Sequence, residues 1–199
     1  MYPSWILSNC MSGKPLAMIE LNSVASGLQS LDRMVKKAPI DILEANLIEP
    51  GHYLILWSGA LACVEEALQE ACSELERFSQ PLISKMLIPT AHDQLLLGLR
   101  GRTLTETKDA LGIIETANVC DALLCCDRAL KESYVELMGI RIQGGLGGKG
   151  YFVVTGLQHD VEVALEVAQA QAVLHRKELL ARPHKELLPW LFRPQPLSF

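Results

Sequence analysis

The sequence predicts an α+β fold of two tandem βαββαβ domains, each ferredoxin-like and in unpermuted order. The first reason is an internal repeat, in which Glu20 meets Glu115 at an offset of 115 − 20 = 95 residues. The second reason is that both copies show the same order of strand and helix patterns. Seven identities occur at this offset between residues 18–38 and 113–133, where chance composition gives about one: Ile19/Ile114, Glu20/Glu115, Val24/Val119, Leu28/Leu123, Asp32/Asp127, Arg33/Arg128 and Lys36/Lys131.

Each copy begins with a short apolar run that predicts a strand, "LAMIEL" at 16–21 and "ALGIIET" at 110–116. An amphipathic helix pattern follows each strand. In the second copy its apolar stripe has members at i, i+4, i+7 and i+11, namely Val119, Leu123, Cys126 and Leu130. Because a free thiol on such a stripe packs as a small apolar group, Cys126 is predicted to lie in the core.

A hairpin is predicted next in each copy, from "IDILEANLI" and "HYLILWSG" and again from "VELMGIRIQ" and "GYFVVTG". The second hairpin has the loop "GGLGGKG", which fits two nucleotide-binding patterns poorly. Its glycines satisfy G-x-G-x-x-G, but a strand follows the loop where that fingerprint needs a helix. The Walker pattern fails because Lys149 precedes Gly150 and not Ser or Thr. We therefore expect no phosphate site here.

A second helix and a last strand complete each copy. The helices are predicted at "ALACVEEALQEACSELE" and "HDVEVALEVAQAQAVLH", and the strands at "LISKMLIP" and "KELLARP". The polar stretch "RGRTLTETKD" has no apolar period and separates the copies. These patterns predict an N-terminal tail at 1–14, a first domain at 15–99, a linker at 100–108, a second domain at 109–192 and a C-terminal tail at 193–199.

Composition excludes several classes of function. With 49% hydrophobic and 21% charged residues the chain is globular, and a net charge of -5 argues against a nucleic-acid partner. No apolar run reaches the length of a membrane span. The six cysteines contain no C-x-x-C pair and no zinc spacing, so reduced thiols in a cytosolic protein are expected.

Catalytic motifs are not evident in the sequence, which predicts a protein that is not an enzyme. There is no G-x-S-x-G elbow and no H-E-x-x-H helix, and the five histidines are scattered. Glu20 and Glu115 end strands at duplicated positions, which fits a shared structural hydrogen bond better than an acid/base pair.

The chain resembles the tandem-domain shell proteins of bacterial microcompartments, which form trimers with a hexagonal outline. The resemblance depends on "AMIEL" and "LGIIET" at the start of each half, on D-x-x-x-K at the end of each first helix, and on "ARPHKEL" after the last strand. It covers about residue 15 to residue 192. Within the family the chain is most similar to the propanediol-utilisation type, through "ELNSVASG" and "GGKGYFVVTG".

The resemblance implies a homotrimeric, pseudohexameric tile in the microcompartment shell of the bacterial cytoplasm. The hairpin loops would line a central pore for small metabolites, through Glu49, Pro50, Gly51, Gly144, Gly145, Leu146, Gly147 and Gly148. Glycine suits such a ring because it tolerates positive φ and close backbone approach. Lys36, Lys131 and Arg182 would lie on the tile edge and meet other shell proteins, although Thr90 stands in the first copy where an arginine is expected.

Two other functions stay open from the sequence. Some relatives hold an axial iron–sulfur cluster through a cysteine in the first hairpin loop, but Glu49 occupies that place here, so no cofactor is expected. Glu49 and His52 are weak candidates for binding a hard cation, with splayed carboxylates as the simpler expectation. Duplicated βαββαβ domains also serve as small-molecule sensors in regulatory proteins.

Overall fold

The computed structural model describes residues 13–102 and 104–192. Most of both predicted tails, and Thr103 in the linker, lie outside the described residues. The chain divides into two compact units between Asp93 and Gln94.

The first unit contains the predicted βαββαβ order. Its elements are β1 (Leu16–Leu21), α1 (Val24–Lys37), β2 (Asp41–Ile48), β3 (His52–Ser58), α2 (Leu61–Arg77) and β4 (Leu82–Ile88). The strands form one antiparallel sheet in the order β2-β3-β1-β4. A short helix follows, α3 (Asp93–Leu99).

The second unit repeats this order. It contains β5 (Ala110–Thr116), α4 (Val119–Glu132), β6 (Glu136–Arg141), β7 (Gly150–Gly156), α5 (Gln158–Gln171), β8 (Leu174–Ala181) and a 3₁₀ helix (Lys185–Trp190). Its sheet has the order β6-β7-β5-β8, the counterpart of the first. The predicted fold class is therefore confirmed.

The first helix of each unit begins at a duplicated capping position. Ser23 Oγ accepts a hydrogen bond from Ser26 N at 3.3 Å, and Asn118 Oδ1 accepts one from Asp121 N at 2.9 Å. These caps satisfy backbone donors that the first turn leaves unpaired. Both helices end where the chain becomes extended, at Ala38 and at Ser133.

One boundary inside the second unit differs from the prediction. The predicted second helix ran to His175, but α5 ends at Gln171 and β8 begins at Leu174. Ala172 has extended φ and ψ of -154° and 165°, and its N–H closes the last helical turn on Ala168. Leu174 then pairs with Thr116 of β5, so sheet pairing determines where the helix ends.

Contacts of α3 and of the predicted linker lie largely within the second unit. Gln94 Oε1 accepts a hydrogen bond from Leu137 N at 2.7 Å, and a Cβ on Gly98 would meet the Leu137 side chain at 2.7 Å. In the predicted linker, Leu104 N donates to Met138 O and Lys108 N to Thr155 Oγ1, both at 2.9 Å.

Helices cover one face of each sheet, and the segment around the 3₁₀ helix covers the other face of the second sheet. In the first unit, the core cluster joins Ile19, Ile55 and Trp57 to the inner faces of α1 and α2. In the second unit, Gly112 packs under Val161 of α5 on one face. On the other face, the segment around the 3₁₀ helix covers Val153 and Tyr151. Tyr151 Oη donates to Leu191 O at 2.6 Å there.

Candidate functional site

The β2–β3 turn contains the first set of predicted pore residues. Glu49, Pro50 and Gly51 are all exposed, and the Glu49–Pro50 peptide is cis. Gly51 N donates to Ile48 O at 2.9 Å, and Gly51 has a φ of 111°. The turn therefore presents one carboxylate and a bare stretch of backbone to solvent.

The β6–β7 loop contains the second set, and its glycines have a clear conformational reason. Gly144, Gly145, Gly147 and Gly148 have φ values of 90°, 86°, 61° and 86°. These values lie in the left-handed region, where a Cβ costs free energy. A Cβ on Gly144 or Gly147 would meet nothing within 4 Å. Within the single chain, these two glycines thus serve backbone conformation and not close packing.

An open cleft of about 390 Å³ lies beside this loop. Gly145 and Leu146 form one side, and Glu115 and the exposed indole of Trp190 also line it. Lys149 extends from the loop, and its Nζ lies 3.0 Å from His175 Nε2. The cleft is a surface feature and not a closed pocket.

A buried carboxylate lies close to the first turn. Glu20 Oε1 lies 2.7 Å from His52 Nδ1, and Glu20 Oε2 accepts a hydrogen bond from Ser84 Oγ at 2.8 Å. The Glu20 side chain is 1% exposed and that of His52 is 23% exposed. The structural hydrogen bond expected of Glu20 is present, and it holds His52 at the foot of the turn.

The two copies of the repeat differ at Glu115, the counterpart of Glu20. Glu115 was expected to form a structural hydrogen bond equivalent to that of Glu20. Its side chain forms none with the described residues. It is half-buried and pairs with Tyr151 across β5 and β7. Burial raises the pKa of the Tyr151 phenol; Arg141 opposes that increase and Glu115 adds to it.

Metal binding by Glu49 and His52 gains no support from side-chain placement. His52 directs Nδ1 to Glu20. Across residues 13–102 and 104–192, no group of three or more His, Cys, Asp and Glu side chains is placed to hold a metal ion. Ser84 and His52 both contact Glu20, so the cluster is not a nucleophile–base pair.

The predicted edge lysines each pair with the aspartate one turn earlier. Lys36 Nζ lies 2.6 Å from Asp32 Oδ2, with both side chains exposed, 69% and 56%. Lys131 Nζ lies 2.5 Å from Asp127 Oδ2, but there the aspartate is only 5% exposed. The D-x-x-x-K motif is thus an i,i+4 ion pair in both units, and in the second unit it also neutralises a buried carboxylate.

Arg182 lies just after β8 in an unusual conformation. Its φ is 50°, and its backbone N–H donates to Asp109 O at 2.8 Å. Its side chain is exposed. The bond fixes the backbone from which the guanidinium extends.

The described cysteines lie in helices. Cys63 and Cys72 are partly buried in α2, and Cys120, Cys125 and Cys126 are buried in α4. Burial, reinforced by Asp121, raises the pKa of Cys125 to about 12. Burial, with Asp127 and Cys125 adding to it, also raises the pKa of Cys126 well above its ordinary value. The predicted core position of Cys126 is confirmed.

Sequence reasoning missed Ser84 as a partner of Glu20. The signal lies in sheet register, since Ser84 pairs with Glu20 across β1 and β4.

No helix in the described part of the chain combines the length and apolar character that crossing a bilayer requires.

Comparison with known proteins gives the family. The BMC domain model matches residues 16–91 and 110–183, one match in each unit. Bacterial microcompartment shell protein PduT of Citrobacter freundii is 31% identical over 86% of this chain and 94% of its own length. Shell protein EutK of Salmonella typhimurium is 26% identical over 55% of this chain and 67% of its own length.

Solved structures agree with the sequence comparison. A microcompartment protein of Desulfitobacterium hafniense superposes with a TM-score of 0.74 and 29% identity, covering 88% of this chain and 98% of that one. Shell proteins of this family are generally structural and non-enzymatic. The chain belongs to the BMC domain family and is a tandem-domain bacterial microcompartment shell protein.

Proposed function

We propose that this chain is a structural tile of a microcompartment shell, built as a homotrimer of hexagonal outline with a central pore. Each chain contributes two like units, so three chains close a ring of six. The tile works in the bacterial cytoplasm as part of the shell, and it catalyses no reaction.

The conformation of the β6–β7 loop is the observation that carries the proposal. Its left-handed glycines expose backbone N–H and C=O groups and leave space where side chains would be. Three such loops around an axis would give an opening lined by polar backbone. The width of the opening and its hydrogen-bonding groups would select the small metabolites that pass.

Glu49 sets the charge of the other loop. Three copies of an exposed carboxylate near one axis repel each other, so they splay into solvent and disfavour anions. A bound cation is the alternative, and His52 would join Glu49 as a ligand only through Nε2, because its Nδ1 lies against Glu20.

The redox alternative is disfavoured by the positions of the thiols. The cysteines that the structure describes lie in α2 and α4, and none lies in a hairpin loop. Since iron–sulfur clusters are held by thiolates, we expect the purified protein to be colourless. A brown preparation that contains iron and sulfide after anaerobic reconstitution would contradict this.

The edges of the tile would contact neighbouring shell proteins. Lys36, Lys131 and Arg182 present cationic groups that would meet neighbouring shell proteins. These contacts would join trimers to one another and to hexameric shell proteins in a continuous layer.

Light scattering of the purified protein tests the proposal. A trimer of 21.9 kDa chains has a mass of 65.7 kDa, and electron microscopy of concentrated protein should show sheets or tubes. A sensor would remain a small soluble oligomer and bind its metabolite in a closed pocket. A monomer or isolated dimer at micromolar concentration would contradict the tile.

A further inference from the structure

We propose that the open cleft beside the β6–β7 loop binds a zwitterionic amino acid with an apolar side chain. The cleft lies within the second unit, between the loop, one face of β5 and β7, and the end of the 3₁₀ helix. Because every residue that lines it belongs to one unit, binding does not require the trimer. The inference therefore goes beyond the tile function.

Two neighbouring strands give the cleft an apolar floor. Ile113 of β5 pairs with Val153 of β7. Two residues further along β5, Glu115 pairs with Tyr151. Since side chains alternate between the faces of a sheet, these four lie on one face. The indole of Trp190, which is 61% exposed, also lines the cleft. An aliphatic side chain of a ligand would be removed from water against these surfaces.

Glu115 gives the cleft an acceptor that the fold leaves unpaired. Its side chain is half-buried and forms no hydrogen bond or ion pair with the described residues. Its register partner on β8, Arg176, directs the guanidinium to Glu178 at 2.6 Å. The repeat counterpart Glu20, in contrast, accepts a hydrogen bond from Ser84. Because a carboxylate gains most from a charged donor, Glu115 fits the ammonium group of a ligand.

Lys149 gives the cleft the opposite charge. It directly precedes β7 and lies two residues before Tyr151, the partner of Glu115. In a regular sheet such a diagonal position is about 7–8 Å away, so one small molecule can reach both charges. The Lys149 Nζ lies 3.0 Å from His175 Nε2, which can accept only one of its three N–H groups. The remaining N–H groups can donate to the carboxylate of a ligand.

These two charges select the class of ligand. Among the described residues that line the cleft, Glu115 is the only carboxylate and Lys149 the only basic side chain. A simple cation would be repelled by the lysine, and a simple anion by the glutamate. A zwitterion satisfies both groups, and its apolar side chain covers the floor. Leucine combines these features in one small molecule.

Saturation-transfer difference NMR of the purified wild type with L-leucine tests the proposal, because it detects weak binding to a large protein. We expect saturable binding with a dissociation constant of about a millimolar, since an open cleft leaves part of the ligand in water. Two fragments divide the ligand: 3-methylbutylamine lacks the carboxylate, and 4-methylpentanoate lacks the ammonium. Each should bind about tenfold or more weakly than leucine.

Glu115→Gln and Lys149→Gln test the two charges separately. Each should weaken leucine binding about tenfold, with an unchanged far-ultraviolet circular dichroism spectrum. Glu115→Gln should bind 4-methylpentanoate no more weakly than the wild type does, because it removes the repulsion between carboxylates. Glu166→Gln is the matched control: Glu166 is exposed on α5 and does not line the cleft. It should bind leucine like the wild type.

The outcomes are decisive for the cleft and independent of the trimer. Absence of saturable leucine binding to the wild type overturns the proposal. Either fragment binding as tightly as leucine overturns the zwitterionic class, and this comparison needs no variant. Equal leucine affinities of the wild type, Glu115→Gln and Lys149→Gln would place the ligand elsewhere and overturn the site. Light scattering of the same wild-type sample measures the trimer separately.

Discussion

At the scale of single residues, the two copies of the repeat differ most at the glutamates that end their first strands. Glu20 is buried and held by His52 and Ser84. At the corresponding register, Glu115 faces Arg176, whose guanidinium binds Glu178 instead. The sequence predicted one role for both glutamates because they occupy equal positions in the repeat. Which groups reach them depends on the register of neighbouring strands, which no local pattern contains.

Replacing Glu20 by glutamine should therefore destabilise the first unit. The change weakens two hydrogen bonds to a buried charge, and we expect a loss of about 1.5–3 kcal/mol in the free energy of unfolding. Urea denaturation measures it. Glu115→Gln is the control, with an expected change within about 0.5 kcal/mol. Equal losses in the two variants would show that the buried cluster does not hold the strand ends.

Gly147 tests the conformational role of the pore loop. Its φ of 61° lies in the left-handed region and a Cβ there would meet nothing, so alanine introduces backbone strain without a clash. We expect Gly147→Ala to lower the free energy of unfolding by about 1 kcal/mol. Asparagine tolerates this region better, so Gly147→Asn should cost less in the same assay. If the two variants cost the same, φ is not the reason for the glycine.

At the scale of elements, the order of strands and helices was predictable because the apolar period changes from two to about 3.6 and turn residues separate the runs. The start of β8 was not, since Val173, Leu174 and His175 continue the composition of α5. Pairing with β5 is what makes Leu174 extended. The glycine loop was also evident from the sequence, but which of its glycines have positive φ was visible only in the structure.

The buried thiol of Cys125 in α4 should lower the stability of the folded chain at alkaline pH. The pKa of Cys125 is about 12 in the folded chain, above its ordinary value of 9.0. Between pH 9 and 12 the unfolded chain therefore releases a proton that the folded chain keeps, so stability falls as pH rises. The slope approaches about 1.4 kcal/mol per pH unit for this thiol.

Denaturation of Cys125→Ala between pH 8 and 10 measures this contribution. We expect a shallower decline for that variant than for the wild type. A Cys125→Ala slope equal to that of the wild type would assign the alkaline loss to other groups.

At the scale of the whole molecule, duplication gives the chain two units that resemble each other more in fold than in surface. On its first helix the first unit exposes Val24, Leu28 and Val35, while the second unit buries the corresponding Val119, Leu123 and Leu130. The Asp32–Lys36 pair is exposed, while Asp127 of the Asp127–Lys131 pair is buried. Edge contacts should therefore be tested at residues whose charge the fold itself does not need.

Arg182 is the best edge residue for that test. Lys131 neutralises the nearly buried Asp127, so Lys131→Glu would threaten folding as well as assembly. The exposed side chain of Arg182 has no ion pair or hydrogen bond among the described residues, and its backbone N–H bonds to Asp109 O. We expect Arg182→Glu to keep the 65.7 kDa trimer and to prevent sheets, because a reversed charge repeats at every tile contact.

Electron microscopy of concentrated Arg182→Glu, beside light scattering of the same sample, provides both readouts. Lys36→Glu gives a second edge variant in the first unit, where the partner Asp32 is exposed. Arg77→Glu changes the net charge by the same amount in the last turn of α2, at a residue that is not among the proposed edge residues, and should assemble like the wild type. Unchanged sheets in both edge variants would remove these two residues from the edge. Loss of sheets in Arg77→Glu as well would point to net charge, which acts on every tile regardless of where the substitution lies.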